Sequence, residues 1–375
     1  MQHVFLVPGF FGFANLGNIV YFAHVREFLS ARLADQGLDA TVHAVSTDPT
    51  ASLPARALKL LDAIEAAGVG SRDEVHLVGH STGGLDARLL TSPGVNLPGQ
   101  RSAEPMSHLV RSVISVATPH RGTAVASFFD SLFGEQLLGL LSVATIYTLR
   151  HGPLPLSVLL KLGALFSRLD DHLGFRNTVV DHLFDELLRD FTPDRRRGIE
   201  DLLGQMHRDA SLLAQLTPAS AVLVNTLMTD RPRTRYASVV CATPPPGLRS
   251  VLAGGFDPYA QATHALYLAL YRVTGRTRSV TLEHLSEADR VTLARGLGFP
   301  LTDTVNDGIV PLASQPWGEI IHVTNADHLD VIGHFAGADL DPPHRDWFSS
   351  HSTFGRDEFD ALWTDAAEFI ARSRR

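Results

Sequence analysis

The chain has 375 residues, of which 45% are hydrophobic and 19% charged, enough apolar material for one large core or two small ones. A formal net charge of -8, from 40 acidic against 32 basic side chains, argues against a nucleic-acid partner or an anionic lipid surface. The single cysteine, Cys241, excludes an intrachain disulfide and requires no oxidising compartment.

The N-terminal MQHVFLVPG reads as a buried strand and carries no signal-peptide pattern. The longest uncharged apolar run, Gln136 to Leu149, is well short of the roughly 20 residues a spanning helix needs. No transmembrane segment is expected, and the sequence as it stands reads as cytoplasmic, or as secreted if a leader has been removed. Strand and helix then alternate: strand His3 to Val7, helix Ile19 to Gln36, strand Ala40 to Val45, helix Ala51 to Ala67, strand Glu74 to Val78, helix Gly83 to Leu90, strand Leu109 to Ala117. That alternation predicts right-handed crossovers and a mainly parallel sheet with helices on both faces.

From Gly122 to about Arg233 the apolar residues follow a helical period, as in FFDSLFGEQLLGLL and VVDHLFDELLRDF. Strand character returns at Arg235 to Ala242 and at Glu319 to Thr324, and an amphipathic helix over Arg356 to Arg372 closes the chain. The sheet thus resumes after the helices, which predicts a core domain over residues 1–122 and 233–375 with an inserted helical cap over 123–232. Residues Pro244 to Leu285 form a smaller excursion, helical at His264 to Tyr271. No internal repeat or low-complexity tract is present.

One segment carries chemistry. Gly79-His80-Ser81-Thr82-Gly83 fits G-x-S-x-G with a strand before it and a helix after it, the setting in which a strained turn holds a serine hydroxyl out at the sheet edge. The plainer use of the same residues is a helix N-cap serine in a glycine loop. A serine is a poor nucleophile until a base takes its proton and a third group orients that base. In a sheet of this kind the order is serine, acid, histidine. VNDGIVP at Val305 to Pro311 and NADHLDVIG at Asn325 to Gly333 supply both. Asp307 is expected in a loop after a strand, with Asp303 and Asp330 as rival acids, and His328 follows the last strand. The Thr82 amide opens the helix and points at developing negative charge. A second donor is expected from VPGFFG at Val7 to Gly12, with the Phe10 amide favoured over that of Phe11. His120 reads as structural, and Asp86 and Arg88, two apart on a helix, are expected to pair elsewhere.

Together LVPGFFGFANLGNIVYF, VHLVGHSTGG, VATPHRGT, VNDGIVP and DHLDVIG resemble blocks of the bacterial true lipases and carboxylesterases of the α/β-hydrolase superfamily. The resemblance covers both ends of the sheet in the right order and is weak through the cap. It implies an α/β-hydrolase fold, Ser81 as nucleophile, Asp307 as acid, His328 as base, and the amides of Phe10 and Thr82 as the oxyanion hole. It also implies a structural calcium ion beside the histidine loop, for which Asp330 matches one ligand and Glu287 or Asp289 would have to supply another. No cofactor is implied for the chemistry itself. This chain departs from those lipases at Pro8-Gly9, where they usually carry His-Gly, so a side-chain hydrogen bond behind the oxyanion loop is expected to be lost.

The cap is rich in apolar residues, with Phe128, Phe129, Phe133, Leu137, Leu138, Leu140 and Leu141 in one cluster. Most of that surface should bury against the domain, and part should roof the substrate site. The expected partner is a small-molecule or lipid ester with an apolar acyl group. Alternatives on the same residues are an acyltransferase, a polyester depolymerase, or an inactive relative that binds an apolar ligand.

Overall fold

The computed structural model describes residues 1–10, 21–130, 132–151, 154–167, 177–247, 257–335, 346 and 348–374. Six strands form one sheet: β1 Gln2–Val7, β2 Ala40–Ala44, β3 Glu74–His80, β4 Val110–Val116, β5 Arg235–Ala242 and β6 Glu319–Asn325. Their order is β2-β1-β3-β4-β5-β6, and every pair is parallel. The near-continuous apolar runs of β1, β3 and β4 follow from that arrangement, because a parallel sheet is covered on both faces.

Alternate residues serve opposite faces. Val4 and Leu6 of β1 join one cluster with Val25, Leu29 and Leu33 of α1 (Val25–Asp35) and with Phe359, Trp363 and Ile370 of α13 (Arg356–Ala371). Phe5 and Val7 turn the other way, to Leu60 and Leu61 of α2 (Leu53–Ala66) and Leu89 and Leu90 of α3 (Thr82–Thr91). This is the period of two that a strand imposes on its side chains.

Between β4 and β5 the described residues form only helices: α4 Ala124–Phe129, α5 Leu132–His151, α6 Leu156–Ser167, α7 Asn177–Leu188, α8 Pro193–Arg208, α9 Ser211–Gln215 and α10 Pro218–Leu227. Local chemistry starts two of them, since the Thr123 and Thr217 hydroxyls accept from Val125 N and Ser220 N. Strands β4 and β5 are adjacent, with Ser112 opposite Arg235, so these helices are spliced between neighbours in the sheet. The later excursion carries α11 Pro258–Thr274 and α12 Glu287–Leu297, and α11 packs along α6.

Three expectations need correction. The helix expected over Ile19 to Gln36 begins only at Val25, after a left-handed His24 (φ 60°), and Tyr21 to His24 form turns instead. Ala23 N donates to Ile332 O at 2.9 Å, a tertiary bond that a continued helix would forfeit. Helix α11 is longer than the expected His264 to Tyr271 and starts where Asp257 caps Tyr259 N. No strand directly precedes Asp307; Asn306 bridges to Thr243 and so extends the end of β5 across the whole excursion.

The sheet reverses direction of growth at β1, with β2 on one side and β3 on the other. Ligands of open α/β sheets bind at the carboxyl ends of strands around such a switch, and the turns after β1 and β3 both open there. A Cβ on Gly79 would collide with the Gly83 backbone, and a Cβ on Gly83 with the Val7 carbonyl. We expect Gly83→Ala to cost at least about 3 kcal/mol in urea unfolding. Gly204→Ala in α8, where the new methyl meets nothing closer than Arg208 Nη1 at 3.6 Å, should gain about 0.5–1 kcal/mol. Equal stability of the two variants would refute the close approach of strand and helix.

Candidate active site

The turn after β3 holds Ser81 at φ 55°, ψ −128°, a conformation that costs a non-glycine residue free energy and persists only where surroundings enforce it. Ser81 N donates to Val116 O at 2.8 Å, and no helix N–H uses the Ser81 hydroxyl as a cap. The N-cap alternative therefore fails on geometry. The backbone of α3 starts at Thr82, whose N–H is among those a helix leaves without an internal acceptor. The glycine after β1 lies directly against this turn, since a Cβ on Gly9 would fall on Ser81 Cβ.

His328 follows β6 and is 2% exposed. Its Nδ1 lies 2.7 Å from Asp307 Oδ2, and its backbone N–H donates to Asp307 O at 3.0 Å. Asp307 is fully buried and saturated with donors. Oδ1 accepts from Ile309 N (2.9 Å) and Val310 N (2.6 Å), while Oδ2 also accepts from Gln315 Nε2 (3.3 Å) and the Cys241 thiol (3.6 Å). Asp307 acts as the acceptor in these bonds, so the Nδ1 proton of His328 is directed at Oδ2 and Nε2 is the ring nitrogen left with a lone pair. Burial, with Asp307 adding to it, holds the Cys241 thiol protonated well above its ordinary range.

A line of hydrogen bonds joins the three turns. His80 Nε2 lies 2.9 Å from His328 O, so it must donate; His80 Nδ1 then accepts from Tyr21 Oη at 2.7 Å, and Tyr21 Oη accepts from Gly9 N at 2.9 Å. Burial, followed by the neighbouring His328, pushes the pKa of His80 well below its usual value, which matches the neutral ring this line requires. Beneath the same loop Arg56 Nη2 donates to Pro8 O at 2.8 Å and pairs with Asp86 Oδ2 at 2.8 Å, both side chains fully buried. Burial outweighs Arg56 and raises Asp86 to about 6. The support expected to be lost with Pro8 is thus supplied from α2 and α3 and by Tyr21.

Phe10, Ser81, Thr82 and His328 line one cavity of about 600 Å³, counting the space at its mouth. Its remaining wall is largely apolar: Phe129 of α4, Leu138 and Leu141 of α5, Leu213 of α9, Leu270 of α11, and Ile309. Among the described residues no carboxylate, lysine or arginine lines it. Of the apolar cap cluster, Phe129, Leu138 and Leu141 reach this space, whereas Leu137 and Leu140 are buried in the core. Phe11, the second candidate for a loop donor, lies outside the described residues, as do positions 12–20 of the same block.

Other candidates fall elsewhere. Asp303 is exposed and accepts from Leu282 N. Asp86 pairs with Arg56, while Arg88 stacks 3.3 Å from the Trp317 ring centroid and bonds His120 Nδ1 and Asn225 Oδ1. His120 is buried in that cluster.

Asp330 is not an alternative acid: it belongs to a group with Asp327 and Asp346 whose ligand oxygens lie within 4.8 Å of one another. Glu287 and Asp289, expected as companions of Asp330, instead occupy the first turn of α12, where Asp289 accepts from the Ser286 hydroxyl. Asp327 and Asp346 were missed because a turn aspartate beside the histidine and one 16 positions after Asp330 give no spacing signal. Asp327 Oδ1 is bonded to Leu329 N and Asp330 N, but its buried Oδ2 has no partner. Burial raises Asp327 to about 6; burial and the neighbouring carboxylates raise Asp330 well above its ordinary range and Asp346 to about 8. Clustered, buried, hard oxygen donors with an unused lone pair fit calcium or magnesium better than a soft metal.

No protein-family model and no curated protein matches this sequence. Among solved structures it is similar to EstA from Clostridium botulinum (18% identity, 100% of this chain and 88% of that one, TM-score 0.52). It is also similar to Staphylococcus hyicus lipase (16%, 99% and 95%, TM-score 0.51) and to lipase 1 from Pelosinus fermentans (16%, 99% and 98%, TM-score 0.51). The chain thus has the α/β-hydrolase fold, and its resemblance to bacterial lipases holds at the level of fold.

Removal of the Tyr21 hydroxyl would strand both Gly9 N–H and His80 Nδ1 in a buried site. We expect Tyr21→Phe to lose about 2–4 kcal/mol in urea unfolding. A loss below about 0.5 kcal/mol would mean that the line from Gly9 to His328 is not formed.

Proposed function

We propose that this protein is a serine ester hydrolase that cleaves hydrophobic carboxylic esters through an acyl-enzyme. The observation that carries the reading is the meeting of Ser81 and His328 at one apolar cavity, with Asp307 bonded behind His328. The likeness in fold to proteins described as lipases supports it.

In this reading His328 Nε2 takes the Ser81 hydroxyl proton as Oγ attacks the ester carbonyl carbon. Asp307 holds the ring by Nδ1–H and stabilises the imidazolium. The carbonyl oxygen, now an alkoxide, is met by the amides of Thr82 and Phe10, where fixed donors in a water-poor site act most strongly. Collapse returns the carbonyl and expels the alcohol, protonated by His328. Water then repeats the sequence and releases the acid. The proton transfer requires Ser81 Oγ and His328 Nε2 to meet at hydrogen-bond distance, a contact that catalytic pairs of this kind tighten in the substrate complex. Ile309, Leu138, Leu141 and Leu213 favour an aliphatic acyl group over a charged one.

The test is turnover of p-nitrophenyl esters from acetyl to palmitoyl, with fluorophosphonate labelling read by mass spectrometry. Ser81 should be the labelled residue, and Ser81→Ala should lower kcat by about 10^4-fold or more with an unchanged melting curve. Absence of both turnover and label would sink the reading in favour of an apolar-ligand binder. An alcohol acceptor that outcompetes water in product analysis would make the enzyme an acyltransferase.

We further propose that Asp327, Asp330 and Asp346 hold a structural calcium ion. When bound, it would neutralise three crowded carboxylates next to the turn that carries His328 and take no part in the bond changes. Carboxyl groups held above their unfolded pKa favour the folded chain only while protonated, so without metal they cost stability as pH rises through about 6 and about 8. Calcium should therefore raise the melting temperature relative to EDTA by an amount that grows from pH 6 to pH 8. Asp346→Asn should remove most of that calcium response while stabilising the EDTA-treated protein. A melting curve indifferent to calcium at pH 8 would remove the metal from the account.

A further inference from the structure

We propose that the Thr82 side-chain hydroxyl donates a third hydrogen bond to the oxyanion, alongside the Thr82 and Phe10 amides. The proposal rests on the reading of Ser81 as nucleophile and adds a catalytic group to it. Thr82 is 1% exposed, and its Oγ1 is buried with no hydrogen-bond partner. It lines the cavity together with Ser81, Phe10 and His328.

Helical threonines in this protein usually satisfy that hydroxyl on the preceding turn. Thr91 Oγ1 donates to Ala87 O and Arg88 O at 3.0 Å, and Thr274 Oγ1 to Leu270 O at 2.9 Å. Thr82 is the first residue of α3, so no helical carbonyl stands behind it. A buried hydroxyl without a partner is unfavourable, and valine would fill the same volume without that cost.

The other polar groups of the cavity are spoken for. Tyr21 Oη bonds Gly9 and His80, and Thr123 Oγ1 donates to Ile309 O at 2.6 Å and accepts from Val125 N. Ser81 is the nucleophile and His328 its base. Among the described lining residues Thr82 Oγ1 is the remaining side-chain donor, on the same residue as one proposed oxyanion amide, and no lysine or arginine is among them. A hydroxyl can rotate its single proton to whatever acceptor arrives, and the acceptor that appears beside Ser81 during acyl transfer is the former carbonyl oxygen.

The experiment compares Thr82→Val and Thr82→Ser with wild type in kcat, KM, melting temperature and affinity for a short-chain trifluoromethyl ketone, whose adduct on Ser81 reproduces the oxyanion. Thr82→Val should lower kcat by about 10- to 100-fold with KM within about twofold, and weaken the ketone by a similar factor. Its melting temperature should be unchanged or higher, since an unsatisfied polar group has been removed. Thr82→Ser should recover kcat to within about threefold. Retention of kcat in Thr82→Val would overturn the proposal, and so would a loss that serine does not restore or that tracks a lower melting temperature. Failure of wild-type Ser81 to take a fluorophosphonate label is a separate result, which would remove the nucleophile reading and this proposal with it.

Discussion

The line of hydrogen bonds from Gly9 N–H through Tyr21 and His80 to the carbonyl of His328 is the constraint on which the rest of the site depends. It ties together the turns after β1, β3 and β6, which are far apart in sequence; His334 Nε2, 2.8 Å from Tyr21 O, and the bond from Ala23 N to Ile332 O join the first and last of them again. Its direction is set by chemistry: a carbonyl only accepts and an amide only donates, so His80 must be neutral with its proton on Nε2. A charged His80 would break the line at Tyr21. Burial resists that charge, and the three turns keep their relative positions because each partner would otherwise be left unsatisfied in the interior.

Around this line the charges divide into two kinds. Arg56 and Asp86 are a closed pair: fully buried, bonded to each other and to the carbonyl of Pro8. Such a pair adds little net stability when intact, and its value lies in specifying where the loop after β1 must run. The group formed by Asp327, Asp330 and Asp346 is open, with like charges crowded together and one buried oxygen unused. A protein interior tolerates that arrangement when the groups are protonated or when a cation neutralises them. Asp327 of this group is the residue before His328, so the cluster lies beside the turn that carries the proposed base.

The apolar cavity explains why the helices between β4 and β5 are as greasy as they are. Leu137, Leu140 and Val143 pack into the core, while Leu138 and Leu141, on the same helix, face the space above Ser81. One helix therefore serves as core element and as pocket wall, and its sequence has no polar stripe. Hydrophobic periodicity predicts the helix but cannot tell these two apolar faces apart, because both read as leucine.

Much was legible in the residues themselves. Alternating strand and helix patterns predicted the parallel sheet, since a buried strand must be an apolar run and a surface helix must repeat every three to four residues. G-x-S-x-G located the turn after β3, because only glycine tolerates the contacts that Gly79 and Gly83 make. Order along the chain singled out Asp307 and His328, which the fold brings to 2.7 Å. What the tertiary structure alone decided were the partners of these groups. Tyr21 was read as a helix residue, yet it lies in the turn before the helix and bonds Gly9 and His80; Arg56 carries no signal within the pattern of α2, yet it is fully buried under Pro8. Asp346 and Asp327 carried no motif, and the orphaned hydroxyl of Thr82 is visible only once its surroundings are known. Sequence records local preference and periodicity, whereas a hydrogen-bond partner 59 or 248 residues away is chosen by packing, and packing exists only in three dimensions.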